Sequence, residues 1–205
     1  PLYMTEQEFQ KLTGVSRETL EKLSIYVALL NKWQKAINLV SKTTLGDAWR
    51  RHILDSYQIL KYAPEGNKTW IDFGSGAGFP ALVVAMCSDH DVHVVESDQR
   101  KCQFMREVSR ETSAPITVHN GRIEEIEPVK ANIISARALA SLEKLFEYCA
   151  PFSTPETLFL YLKGQDVDVE LTNASKYWNI DSIKHPSLSS DEGCILECRN
   201  VRPLI

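Results

Sequence analysis

The stretch 70-WIDFGSGAGFPALVVA-85 decides the fold. An apolar run carrying one acid, Asp72, ends in three glycines at alternate positions, Gly74, Gly76 and Gly78, and a helical pattern follows from Pro80. Strand, glycine turn and helix open a βαβ unit, and the glycines let the backbone take positive φ and let a ligand come close. A nicotinamide or flavin fingerprint, G-x-G-x-x-G, fails because Phe79 fills its third position. A P-loop, G-x-x-x-x-G-K-[ST], fails too: Phe79 stands five beyond Gly74, and the next lysine is Lys101. What remains, G-x-G-x-G behind an acid, suits a nucleoside ligand without phosphates, its amino-acid part against the glycines.

Outward from this turn, β-rich runs alternate with helical ones. TWIDF (69–73), VHVVES (92–97), PITVHNG (115–121), ANIISAR (131–137) and TLFLYLKG (157–164) read as strands. The runs from Pro80, 98–111, 141–150 and 166–178 read as helices. That alternation predicts a mostly parallel sheet covered on both faces. Two last strands, near 180–185 and 194–201, are joined by 186-PSLSSDEG-193 and are expected to form an antiparallel hairpin at the sheet edge.

Upstream the texture is helical. Leu20, Leu23, Val27, Leu30 and Ile37 lay a stripe along 16–38, with Ser16 as N-cap. A further helix is expected over 44–63, with Leu45, Trp49, Ile53, Tyr57 and Leu60 on one side, and 64-PEGN-67 breaks the chain. The predicted organisation is a helical N-terminal cap, 4–65, and one α/β domain, 66–205. Trp33, Trp49 and Tyr57 are read as core rather than base-stacking residues.

The 205 residues are 43% hydrophobic and 24% charged, which suits a globular chain with a sizeable core. The residues before Met4 are left out of the fold reading. No apolar run reaches membrane-spanning length and no signal pattern opens the chain, so a cytoplasmic protein is expected. Five cysteines in an odd set without a CxxC pair read as reduced thiols, and Cys194 and Cys198 as packing residues. No metal is predicted. The net charge of −4 disfavours clinging to any naked nucleic acid.

A second acid, Glu96, ends the second strand, 22 residues beyond Gly74, where a carboxylate accepts both hydroxyls of a ribose. Glycines, acid and strand pattern resemble class I (Rossmann-like) S-adenosylmethionine-dependent methyltransferases, whose sheet has seven strands. The bland alternative is a tight strand-to-helix turn with a surface glutamate. In proteins of this resemblance the segment 119–127 flanks the adenine, which places Ile123 on the ring and Glu124 at the exocyclic amine.

For the acceptor, 133-IISARALAS-141 holds no N-P-P-Y-like motif for an exocyclic amine, and Cys149 lies away from the strand ends where a pyrimidine C5 nucleophile belongs. A guanine N7 explains both absences, because its in-plane lone pair needs no general base. The stretches 32-KWQKAINLVS-41, 51-RHILDS-56, 71-IDFGSGAGFP-80, 122-RIEE-125, 135-SARALASL-142 and 162-LKG-164 closely resemble the guanine-N7 methyltransferases of bacterial 16S ribosomal RNA, also called the glucose-inhibited division protein B family. Ala81 departs from the glycine expected after Pro80, although a small residue still fits.

The resemblance implies S-adenosylmethionine as cofactor and, as partner, 16S rRNA within a small ribosomal subunit or its assembly intermediate, with a monomer expected. The candidate cofactor residues are Asp72, Gly74, Gly76, Gly78, Phe79, Glu96, Ser97, Ile123, Glu124 and Arg137. Arg51, His52, Arg137 and Lys163 are the candidate catalytic and RNA-placing residues. His52 is either a cleft contact or an interhelical packing residue, and Asp55 either orients it or pairs with Arg51. Lys32, Lys35, Arg100 and Lys101 are read as solvated helix charges first. Two competing functions share the fold: a small-molecule or protein methyltransferase, and a cofactor sensor without transfer.

Overall fold

The computed structural model describes residues 2–205. A seven-stranded sheet runs β3-β2-β1-β4-β5-β7-β6. Its strands are β1 (Thr69–Phe73), β2 (Asp91–Glu96), β3 (Thr117–Asn120), β4 (Ile133–Arg137), β5 (Leu158–Lys163), β6 (Trp178–Pro186) and β7 (Cys194–Pro203). The first five are parallel, and β7 lies antiparallel between β5 and β6. The expected mostly parallel sheet with an antiparallel terminal hairpin is thus present.

Alternation along the strands feeds two cores. In β5, Leu158, Leu160 and Leu162 enter one cluster, while Phe159 and Tyr161 enter the other. Such strands are buried on both faces, which is why they read as unbroken apolar runs. The first core also takes Phe9, Leu20, Leu23, Tyr26 and Leu30, so the N-terminal helices α1 (Glu6–Thr13) and α2 (Arg17–Gln34) share it with the sheet. Ser16 caps α2, its hydroxyl accepting from Thr19 N at 3.1 Å. Trp33 packs edge-on against Phe104, and Trp49 and Tyr57 against Phe9.

The single helix expected over 44–63 is instead a broken succession. A turn, α3 (Lys42–Leu45), precedes a π-helical segment, Trp49–Leu54, then α4 (Asp55–Tyr57) and a 3₁₀ turn, Gln58–Tyr62. Apolar spacing alone does not separate these helical forms. A π-turn widens the ring of the backbone and often sits at functional sites; here it sets His52 and Asp55 against the end of β4.

The order reverses between β1 and β4, so the crevice at their carboxyl ends is the ligand position of an open α/β sheet. The helices α5 (Ala81–Cys87), α6 (Gln99–Thr112), α7 (Leu142–Cys149) and α8 (Val167–Ala174) complete the layers. Asp98 caps α6, accepting from Arg100 N at 2.9 Å and Lys101 N at 3.2 Å. No helix among the described residues is long and apolar enough to cross a membrane.

Candidate active site

The glycine turn is fastened from both sides. Gly74 N donates to Val95 O at 2.9 Å and Gly76 N to Glu96 Oε1 at 2.9 Å. The other Glu96 oxygen accepts from Asp98 N at 2.8 Å. Glu96 thus ties β1's turn to the start of α6, and each of its oxygens keeps a second lone pair for a ligand.

Gly76 and Gly78 meet different surroundings. A Cβ at Gly76 would meet only the Gly74 carbonyl, 3.9 Å away, so this position faces open space. Gly78 faces the protein: with φ at 93°, a Cβ there would overlap Leu82 and lie 2.8 Å from the Tyr26 hydroxyl. That hydroxyl donates to Ala77 O at 2.5 Å, so α2 holds the turn from behind. Gly78, a candidate cofactor residue, therefore packs against the protein and does not line the cleft in front of the turn.

Two further cofactor candidates also lie behind the turn. Asp72 is fully buried and accepts from Ser75 Oγ at 2.6 Å and Ser135 Oγ at 2.7 Å; Ser135 in turn accepts from Trp70 Nε1 at 2.8 Å. Phe79 is 2% exposed and stacks between Tyr26, 4.9 Å away, and His52, 5.0 Å away. Neither residue lines the cleft in front of the turn, and the Arg137 guanidinium also lies over the Phe79 ring, 5.1 Å from its centroid.

Burial pushes Asp72 up to about 7, against the two serine hydroxyls and the charge of Arg137. Between the free carboxyl value near 4 and that value, the folded state holds a proton the unfolded state has released. Stability therefore falls as pH rises through this window, by up to about 4 kcal/mol. Asp72→Asn removes that slope, since either serine hydroxyl can turn to accept from the new amide. Urea titrations at pH 5 and pH 8 check this: the variant gains on the parent at the higher pH, and parallel losses would refute it.

In front of the turn lies a cleft of about 440 Å³ lined by Gly74, Gly76, Glu96, Ser97, Ile123 and Glu124 among the expected residues. Lys101, Arg122, Leu139 and Tyr148 also line it. Lys101, expected first as a solvated helix charge, reaches the cleft from the first turn of α6, a placement that follows from its position after Glu96. Leu139 and Tyr148 reach the cleft from a loop and from α7, which no local pattern reveals.

A second cleft, about 340 Å³, is lined by Asp55, Arg137, Ala138, Lys163, Gly164, Glu170, Ser187 and Gly193. The two clefts meet at Ala138. Arg137 thus belongs to the second cleft, not the first. Its Nη1 reaches Asp55 Oδ2 at 3.1 Å and Arg51 O at 3.4 Å, and its Nη2 donates to His52 Nδ1 at 3.1 Å. Lys163 Nζ lies 2.8 Å from Glu170 Oε1 and donates to Ala140 O at 2.9 Å.

His52 is 6% exposed and lies behind Arg137. Burial, then Arg137 and Arg51, push its pKa down to about 3, so the ring is neutral at physiological pH. Nδ1 accepts from Arg137, so Nε2 carries the hydrogen and donates to Thr44 Oγ1 at 2.9 Å. His52 is thus a packed brace rather than a cleft contact. The Asp55 carboxylate takes neither expected side-chain partner and pairs with Arg137 instead. Arg51 is exposed.

Cys149 is buried, 3.6 Å from the Tyr161 hydroxyl, and burial raises its thiol to about 12, which suits packing and not attack. Cys194 and Cys198 are likewise buried. No three His, Cys, Asp or Glu residues among those described are grouped to hold a metal.

The family model of rRNA small subunit methyltransferase G matches residues 19–199. The chain belongs to this family. A ribosomal RNA small subunit methyltransferase G of Parvibaculum lavamentivorans is 50% identical over 98% of this chain and 92% of its own length. The counterpart from Paramagnetospirillum magneticum is 47% identical over 97% of each chain. This chain shares its fold with distant solved structures. A putative O-methyltransferase from Klebsiella pneumoniae superposes with a TM-score of 0.61 at 13% identity, covering 95% of this chain and 96% of that one. A TehB-like SAM-dependent methyltransferase from Corynebacterium glutamicum gives 0.58 at 13% identity, covering 87% and 99%. The fold is therefore the Rossmann-like methyltransferase fold. The first cleft offers an open backbone at Gly76 and a carboxylate with spare lone pairs at Glu96, which suits a nucleoside ligand without phosphates.

Proposed function

We propose that this chain transfers a methyl group from S-adenosylmethionine to N7 of a guanine in 16S ribosomal RNA, acting in the cytoplasm as a monomer. The names of its relatives support rRNA of the small subunit as the acceptor. The observation that carries the reading is the pair of clefts joined at Ala138, one open at Gly76 and Glu96, the other edged by Arg137 and Lys163.

When bound, S-adenosylmethionine supplies an electrophilic methyl carbon on a sulfonium. Gly76 leaves room for the amino-acid part, Glu96 accepts from the ribose hydroxyls, and Ile123 and Glu124 border the base. Guanine N7 presents its lone pair in the ring plane, so no residue has to remove a proton. What the protein contributes is position: holding the nitrogen in line with the methyl carbon lowers the entropic part of the barrier. Arg137 and Lys163 place the acceptor nucleotide through phosphate or base oxygens, and Arg51 extends the basic rim. The cap, 4–65, braces the transfer domain, 66–205, behind the turn. A cleft edged by cations and carboxylates favours a nucleotide over an apolar small molecule.

Labelled cofactor incubated with small subunits, naked rRNA and metabolites tests the reading. Label in 16S rRNA that becomes a strand break after borohydride and aniline supports 7-methylguanine. Label only in a protein or metabolite, or binding without transfer, overturns it. Glu96→Ala weakens cofactor binding by about 1–3 kcal/mol in calorimetry, since both ribose hydroxyls lose their acceptor. An unchanged affinity rejects the ribose role.

A further inference from the structure

Asp55 opens α4, and its two carboxylate oxygens serve different elements. Oδ2 accepts from Arg137 Nη1 at 3.1 Å. Oδ1 accepts from the Ser189 hydroxyl at 2.5 Å and from Gln58 Nε2 at 3.3 Å. Arg137 ends β4, whereas Ser189 lies in the 187–193 connection between β6 and β7, whose Ser187 and Gly193 line the second cleft. Gln58 grips the same connection twice more: its Nε2 donates to Ser187 Oγ at 3.1 Å, and its Oε1 accepts from Leu188 N at 2.7 Å.

One turn of the cap therefore holds two walls of the cleft. The Asp55 and Arg137 side chains are 17% and 22% exposed, shielded enough for a charge-assisted bond to fix geometry. Asp55, Arg51 O and His52 occupy three of the five guanidinium N–H groups, so two keep their donor capacity.

We infer that Asp55 is the positioning residue of this cleft, setting the Arg137 fork and the 187–193 wall in one register so that the acceptor nucleotide meets a preformed cation. The inference rests on the reading that the second cleft takes the acceptor base.

The test uses the full chain with small subunits as acceptor and compares Asp55→Asn, Asp55→Glu and Ser189→Ala. The measurements are kcat, acceptor KM, cofactor Kd by calorimetry, and Tm. Asp55→Asn keeps an acceptor for Ser189 but loses the charge on Arg137; kcat falls about 30-fold, the scale of a misplaced reacting group, while cofactor Kd stays within about twofold. Asp55→Glu recovers part of the loss. Ser189→Ala acts mainly on KM, raising it about fivefold, the scale of one lost hydrogen bond. An Asp55→Asn enzyme within about threefold of the parent kcat overturns the inference. So does a loss of kcat, cofactor affinity and Tm together without recovery in Asp55→Glu, which marks a plain structural anchor. If the parent enzyme leaves 16S rRNA unlabelled, the underlying function fails instead, and that result is visible before any variant is made.

Discussion

Gly78→Ala loses roughly 3 kcal/mol of unfolding free energy, the sum of a positive-φ penalty and an overpacked neighbour. In a chain of this size that is a fall in Tm of about 10 °C. The backbone part arises because φ is 93°, where an L side chain is strained. The steric part arises because the new Cβ overlaps Leu82 and crowds the Tyr26 hydroxyl. Neither neighbour yields easily: Leu82 is fully buried, and Tyr26 is stacked on Phe79 and bonded to Ala77 O. Gly66→Ala is the control, since φ there is 97° but a Cβ meets nothing within 4 Å. It loses only the backbone part, about 1 kcal/mol. Equal losses in the two variants would show that the cap does not clamp the turn.

Arg137→Ala lowers kcat by on the order of 100-fold, the effect of removing one oriented cationic donor from a cleft. It also strands the Asp55 carboxylate, for a stability loss of about 1–3 kcal/mol. Arg137→Lys separates the two effects. A lysine carries the charge but not the planar fork, and it cannot reach Asp55 Oδ2 and His52 Nδ1 together. Stability recovers in that variant while most of the rate loss remains. Steady-state kinetics and thermal melts read both quantities. A fall in Tm with an unchanged rate per folded molecule would mark Arg137 as structural alone.

The legible part of the site was the part written in consecutive residues. Gly76 beside an apolar run, and Glu96 at the end of the next one, are local signals, because a parallel sheet brings consecutive strand ends to one edge. Lys101 is within reach of the same reasoning, since it stands in the first turn of α6, five residues past Glu96. Asp72 and Phe79 stand beside the glycines in sequence, but which side of the turn a residue occupies is not a local property. The partner of Asp55 was invisible for a plainer reason. Arg137 is 82 residues away and Ser189 is 134 away, and no periodicity carries such a pairing.

By itself the chain determined its layers: apolar runs too short for helices, alternating with amphipathic stretches, close only into a covered parallel sheet, and the glycine turn must sit at its switch point. Only the folded molecule decided which glycine faces outward, that His52 stays neutral behind Arg137, and that the β6–β7 connection is strapped to the cap. The physical reason is range. Secondary structure follows from contacts a few residues apart, whereas burial, charge state and cleft walls depend on what the rest of the fold brings alongside.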